Sequence, residues 1–263
     1  TTAGTLKFTQ ANANTTVQIA KNSAPVNARG VFEILNEGSS FVQTETGSSI
    51  SILRGQPSPA IAALYFDPAS ASIATGSGFA IGGGVNGQTI RIYAGKPLQD
   101  LTINSVNAPV AQLDVLPLTL NGNLTINTGA TFNANGLDVN IKGNMVNAGT
   151  YNAAGNTTYF SGNANQAITG ATTFHNLVKN GGTARLTLNS ATPVTVSNNL
   201  TLTSGSFDTG INSVIVRGNT RIDNGFVTLS SGASEGFVLQ GTTQQRLTGS
   251  GTFARLTVDN ING

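Results

Sequence analysis

The sequence predicts an all-β chain folded as a right-handed parallel β-helix, a β-solenoid with coils of about 20 residues. Three observations predict it. The stretch Leu101-Thr102-Ile103-Asn104 returns as Leu177-Val178-Lys179-Asn180 and as Leu256-Thr257-Val258-Asp259, at offsets of 76 (177 − 101) and 79 (256 − 177) residues. Gly-Asn or Asn-Asn pairs begin at 122, 143, 162, 198 and 218, in steps of 21, 19, 36 and 20, the step of 36 being about two coils. Leu137-Asp138-Val139-Asn140-Ile141-Lys142 alternates apolar with polar, the period of a strand with one buried face. The expected hand follows from chirality, since crossovers between parallel strands of one sheet are nearly always right-handed.

Composition agrees with stacked strands and turns. Charged residues make up 9% and hydrophobic ones 38%, and there are 32 Gly; Asn, Thr and Ser fill much of the remainder. Disordered chains of low hydrophobicity usually carry a high net charge, and this one carries +2. The 13 basic residues form no run, which argues against a nucleic-acid partner. Without Cys, a disulfide framework and a thiolate metal site are both excluded. No apolar run approaches the length of a membrane helix, so no membrane span is expected.

Residues 1–97 are expected to form irregular N-terminal coils of the solenoid, with a small β-sandwich as the competing reading. Short apolar stretches at Val31–Leu35, Ser49–Leu53, Ala63–Phe66 and Phe79–Ile81 alternate there with Gly, Ser, Asn and Pro. The best helical candidate, Pro59–Leu64, is at most one turn. Residues 98–263 are expected to be regular solenoid, with two long repeats at about 98–173 and 174–252 and the start of a third. Thirteen coils follow from a constant coil of about 20 residues. The alternation points Leu124, Val139, Ile141, Leu177, Leu200, Val214, Val216 and Leu256 into the core and leaves Ile215 outside. The Asn residues flanking strands suit turns and, stacked in register, polar ladders. The chain opens at Thr1 and stops at Gly263 just after a third repeat has begun, which reads as a segment of a longer polypeptide.

Gly122-Asn123-Leu124-Thr125-Ile126-Asn127-Thr128-Gly129-Ala130-Thr131-Phe132, followed by Gly149-Thr150-Tyr151-Asn152, resembles the β-helical repeats of very large Bacteroidota cell-surface proteins. So does Phe160-Ser161-Gly162 with Gln166-Ala167-Ile168-Thr169-Gly170. The Gly-Asn-Leu-Thr start is also similar to filamentous-haemagglutinin-type adhesins. The resemblance covers about 98–263. It implies an extracellular, bacterial-surface location, export often by type IX secretion, and a role as adhesin, stalk or gliding-motility filament. The partners it implies are flanking repeats of the same chain, the secretion and anchoring machinery, and surface polysaccharide or other cells.

Parallel β-helices also host polysaccharide lyases and hydrolases, so catalysis is a competing reading. Glycoside hydrolysis usually needs two carboxylates at a set distance. The 11 acids are scattered, and only Asp114 and Asp138, 24 apart, are near enough to one coil to stack. His175 is the sole histidine, so a His-pair metal site is excluded and any Ser/His/Asp triad depends on it alone. Its repeat counterparts are Gln99 and Ala254, and it reads as an exposed strand residue. Lys179 takes the inward slot of Ile103 and Val258, and is expected to mark a local slip, to snorkel out at a corner or to contact a ligand. Outward Thr102, Thr125, Thr201 and Thr257 raise an ice-binding array, but they lie at different phases of the long repeat. The expectation is therefore a structural or adhesive segment of a giant β-helical surface protein. It assigns no catalytic, cofactor-binding or metal residues and no cofactor. The alternative is a carbohydrate-binding or polysaccharide-degrading module.

Overall fold

The computed structural model describes residues 7–10, 16–19, 31–35, 38–55, 62–228 and 236–261. The described residues form strands, turns and bends with no helix, and every strand pairing among them is parallel. Each coil of the solenoid lays one short strand on each of three faces. Face three carries Phe32–Ile34, Leu64–Phe66, Thr89–Ala94, Val110–Leu113, Thr131–Asn133 and Thr150–Asn152 as one six-stranded sheet. A five-stranded sheet from Thr173–Phe174 to Leu256–Val258 continues it. Six strands and then five make eleven coils among the described residues, not thirteen.

The difference lies in the early coils. Paired residues there stand 28 to 33 apart, as in Leu64↔Ile92 and Lys7↔Ser40. Later they stand about 21 apart, as in Leu118↔Val139 and Val110↔Thr131, so eight coils follow Leu98. The wider early coils enclose more space, and large rings fill it. Phe32, Phe41, Phe66 and Phe79 form one ring cluster, mostly edge-on or tilted with Phe41 and Phe79 stacked, and the Phe41 and Phe66 centroids lie 5.1 Å apart. Parallel pairing from Lys7 onward excludes the β-sandwich, which needs antiparallel sheets. The helical candidate at 59–64 lies partly outside the described residues, and Leu64 begins a strand.

Alternation does the packing. On face one the inward column Leu120, Ile141, Phe160, Lys179, Leu202 and Ile222 rises in register. On face two Ile50, Phe79, Leu101, Leu124 and Met145 stack likewise. Leu124, Val139, Ile141, Leu177, Leu200, Val214 and Val216 are buried as the alternation requires. Leu256 keeps the inward register, opposite Phe237, but is 37% exposed because its strand has a coil on one side only among the described residues. Leu137 is half-buried, lying in the corner before the strand Val139–Ile141.

In two coils the corner between faces one and two disappears. Leu200–Asp208 and Thr220–Thr228 are single nine-residue strands whose halves serve both faces. The bend falls at Gly205, where φ is +82° and a Cβ would stand 2.3 Å from the Ala184 carbonyl oxygen, so a side chain is excluded on both counts.

The long repeat does not return to its starting face. Leu101 lies on face two, Leu177 on face one and Leu256 on face three. At about 21 residues per coil, 76 to 79 residues is three and two-thirds coils, so each repeat arrives one face away from the last. The three faces are thus related by a pseudo-threefold screw that runs through the sequence itself.

Candidate functional site

Two Gln residues show how far this equivalence extends. Gln166 Oε1 accepts the Gly162 N–H at 3.0 Å, and its Nε2 donates to the carbonyls of Ile141 and Gly143 at 3.0 and 2.6 Å. Gln245, 79 residues on, accepts from Gly241 N at 2.8 Å and donates to Val216 and Gly218 at 2.9 and 2.7 Å. The first clamp sits at the corner between faces one and two, the second between faces three and one. Each gives a partner to one N–H and to the Gly143 or Gly218 carbonyl at the corner, groups that are costly to bury unpaired, and adds a second bond to the Ile141 or Val216 carbonyl, which already accepts Ser161 N–H or Gln240 N–H.

The strand-flanking Asn residues work in the same way. On face two Asp100 Oδ1 accepts Asn123 N, Asn123 Oδ1 accepts Asn144 N, and Asn144 Oδ1 accepts Ala167 N, each at 2.8 Å. On face one the chain is Asn176, Asn199, Asn219 and Arg246, at 3.2, 2.9 and 2.8 Å. The ladder therefore changes face with the long repeat. Asn107 and Asn135 take the left-handed backbone expected of turns, whereas the ladder residues serve through their side chains. Burial pushes the Asp100 carboxyl above its ordinary pKa, opposed by the N–H groups of Asn123.

The polar residues inside the lumen are the second feature. Lys179 does not snorkel out. It is 1% exposed, between Phe160 and Leu202, and its Nζ donates to the Gly181 carbonyl at 3.1 Å. Burial pushes the Lys179 ammonium below its usual pKa. Nearby, the Tyr151 hydroxyl lies 2.7 Å from Thr158 Oγ1 and accepts from Asn156 Nδ2 at 3.1 Å, tying face three to face one around a corner. Burial pushes the Tyr151 phenol up to about 12. These contacts lock the core and keep Lys179, Tyr151, Thr158 and Asn156 buried away from the surface.

The residues weighed for catalysis are not brought together. Asp114 follows its strand on face three and pairs with the Arg91 guanidinium. Asp138 precedes a strand of face one and accepts the Thr157 N–H at 2.8 Å. The register Leu118↔Val139 places Asp138 over Pro117, so the two acids do not stack. His175 is not a strand residue but a half-buried corner residue between faces three and one. Its Nδ1 lies 3.5 Å from Ser197 Oγ, yet that hydroxyl donates to the Phe174 carbonyl at 3.1 Å. Thr102 and Thr125 are neighbours on face two, while Thr201 and Thr257 lie on the other two faces, so they make no common array. Among the described residues no group of three His, Cys, Asp or Glu side chains is placed to hold a metal.

The outer surface does carry a concavity. At the corner between faces three and one, an open groove of about 590 Å³ lies between Arg217 and the loop from Gly241 to Thr243. Ser197 and Asn198 line its lower end and Asp259 its upper end. Asp259 Oδ2 accepts Gln240 Nε2 at 3.1 Å. Lys142-Gly143 and Arg217-Gly218, and Gly162 with Gln166 and Gly241 with Gln245, are repeat pairs in the sequence, but nothing in their spacing says that a groove lies among them. Tyr151 stands in the Gly-Thr-aromatic motif, but nothing in the sequence shows that it meets Thr158 and Asn156.

Comparison with protein-family models, with curated proteins and with solved structures finds no match to this chain. The class is defined by the fold alone: a β-solenoid of repeating coils with a side-chain-filled interior.

Proposed function

We propose that this chain is a structural and adhesive segment of a large bacterial cell-surface or secreted β-helical protein, and that it performs no catalysis. The observation that carries the reading is the long repeat of three and two-thirds coils, which presents the same corner motifs on successive faces of one continuous shaft. Such a design suits reach and display in several directions, whereas an enzyme concentrates unlike groups in one cleft. The resemblance to Bacteroidota surface repeats and filamentous-haemagglutinin-type adhesins supports the same reading, with type IX export as its expected route. Stalk and gliding-filament roles use the same mechanics. The parallel ladders join each coil to its neighbours along the axis, so a displaced coil is restrained from both sides.

Antibodies raised against the chain should label intact cells that produce it; labelling only after permeabilisation removes the surface reading. Incubation with plant or algal polysaccharides should release neither reducing sugars nor unsaturated products. Release that Asp114→Ala or Asp138→Ala abolishes would establish catalysis instead.

A further inference from the structure

The corner beside Arg217 has a counterpart one long repeat earlier, at Lys142. Lys142 stands 75 residues before Arg217 (217 − 142), and Gly162, Gln166 and Asn180 each stand 79 before Gly241, Gln245 and Asp259. Both cations follow the last residue of a strand, Ile141 on face one and Val216 on face three. Both are followed by a glycine that the fold forces to be bare. A Cβ on Gly143 would stand 2.5 Å from the Gly122 carbonyl oxygen, and one on Gly218 would stand 2.5 Å from that of Asn198. The floor is therefore backbone in both corners. The loop above is held by the Gln clamp in both, and one cation reaches along the side. Lys142 Nζ rests on Asn121 Oδ1 at 3.0 Å, while the exposed Arg217 guanidinium has no partner among the described residues.

The chemistry of the groove narrows its ligand. Its lining is hydroxyl, amide and backbone around one cation, Arg217, with the Asp259 carboxylate and Ile261 at the upper end and no aromatic ring. A guanidinium fork fits a carboxylate or sulfate, and the Gln240–Asp259 pair offers a donor and an acceptor to neighbouring hydroxyls. A nucleic acid would need a row of cations along its backbone or aromatic platforms for its bases. Here the groove holds one cation, Arg217. Successive corners of this kind lie ~18 Å apart along the axis, from three and two-thirds coils at ~4.8 Å, and are turned to another face.

We propose that the Arg217 groove and the equivalent Lys142 corner bind acidic polysaccharide, one anionic sugar unit at each. Because the two corners face different directions, one shaft would hold separate polymer chains and cross-link them. The inference deepens the adhesive reading and rests on it only for its setting, since binding in solution does not depend on where the chain is displayed.

The test is affinity electrophoresis and titration calorimetry of the whole chain with polygalacturonate, with neutral dextran and single-stranded DNA as the other probes. Polygalacturonate should bind, and binding should weaken with salt. Arg217→Gln and Lys142→Gln should each remove part of the stoichiometry. The double variant should lose affinity by about tenfold or more, the value of one charged hydrogen bond. Arg246→Gln, an exposed cation that lines a separate concavity with Arg221, is the charge-matched control and should bind as the parent does. All variants change exposed side chains, so their melting temperatures should match the parent. The proposal is overturned if the double variant binds like the parent or if Arg246→Gln weakens binding as much as Arg217→Gln. Equal binding of dextran or DNA would overturn it too. Any of these could occur while surface labelling still succeeds, so the groove and the display readings fail separately.

Discussion

Replacing Tyr151 with Phe removes one oxygen from the lumen and should remove one alkaline component from the pH dependence of stability. The hydroxyl bonds Thr158 and Asn156 inside the core. Asn156 Nδ2 keeps its bond to the Leu137 carbonyl, so the main loss is the partner of Thr158 Oγ1. A buried group left unpaired costs about 1–3 kcal/mol, which is the destabilisation expected near pH 7. The alkaline limb has the opposite sign. The folded phenol has its pKa raised to about 12 from 10.0, so the unfolded chain ionises first. Its stabilising contribution is complete below about pH 10 and is lost as pH rises through about 12. One pH unit above the unfolded pKa, the parent should have lost about 1.4 kcal/mol, approaching about 3 kcal/mol beyond the folded pKa. Tyr151→Phe lacks this loss. The stability difference between parent and variant should therefore shrink by about 1.4 kcal/mol between pH 9 and 11 and then tend to reverse. Urea unfolding of both proteins at pH 7, 9 and 11 reads the difference directly and cancels the other titrating groups. A difference that stays constant to pH 11 would show that the phenol is not buried in the manner described.

Lys179→Met should stabilise the chain near neutral pH, because it relieves a buried ammonium bonded to a single carbonyl. The parent's Lys pKa is lowered, so its penalty is full below the folded pKa and fades as pH climbs toward the unfolded value of 10.5; the variant should lack that rise in matched urea melts. Leu200→Ala removes a side chain 2% exposed and should cost about 2–5 kcal/mol; a neutral result would put the inward phase in error. Amide exchange should be faster around Leu256, whose strand is exposed throughout, than around Val139, which has a coil on either side; equal protection would mean that the last described coil is held by something else.

The sequence by itself determined the coil and its inward residues. A side-chain period of two and a punctuation of about 20 residues leave few ways to bury Leu124, Ile141 and Val216 other than stacking. It also displayed the long repeat and the landmarks that became the Gln clamps. The wider early coils were less legible, because Phe32, Phe41, Phe66 and Phe79 carry no period and pack by shape across the lumen. Only the tertiary structure decided where each repeat falls. A unit of 76 to 79 residues is not a whole number of coils, so the face it reaches depends on the summed length of every corner between. That sum placed Asp138 over Pro117 and away from Asp114, set His175 at a corner, and turned one corner motif onto two faces. It also decided the fate of Lys179. Sequence gave its inward slot, but only the three-dimensional approach of the Gly181 carbonyl supplied the acceptor that lets an ammonium remain in an apolar column.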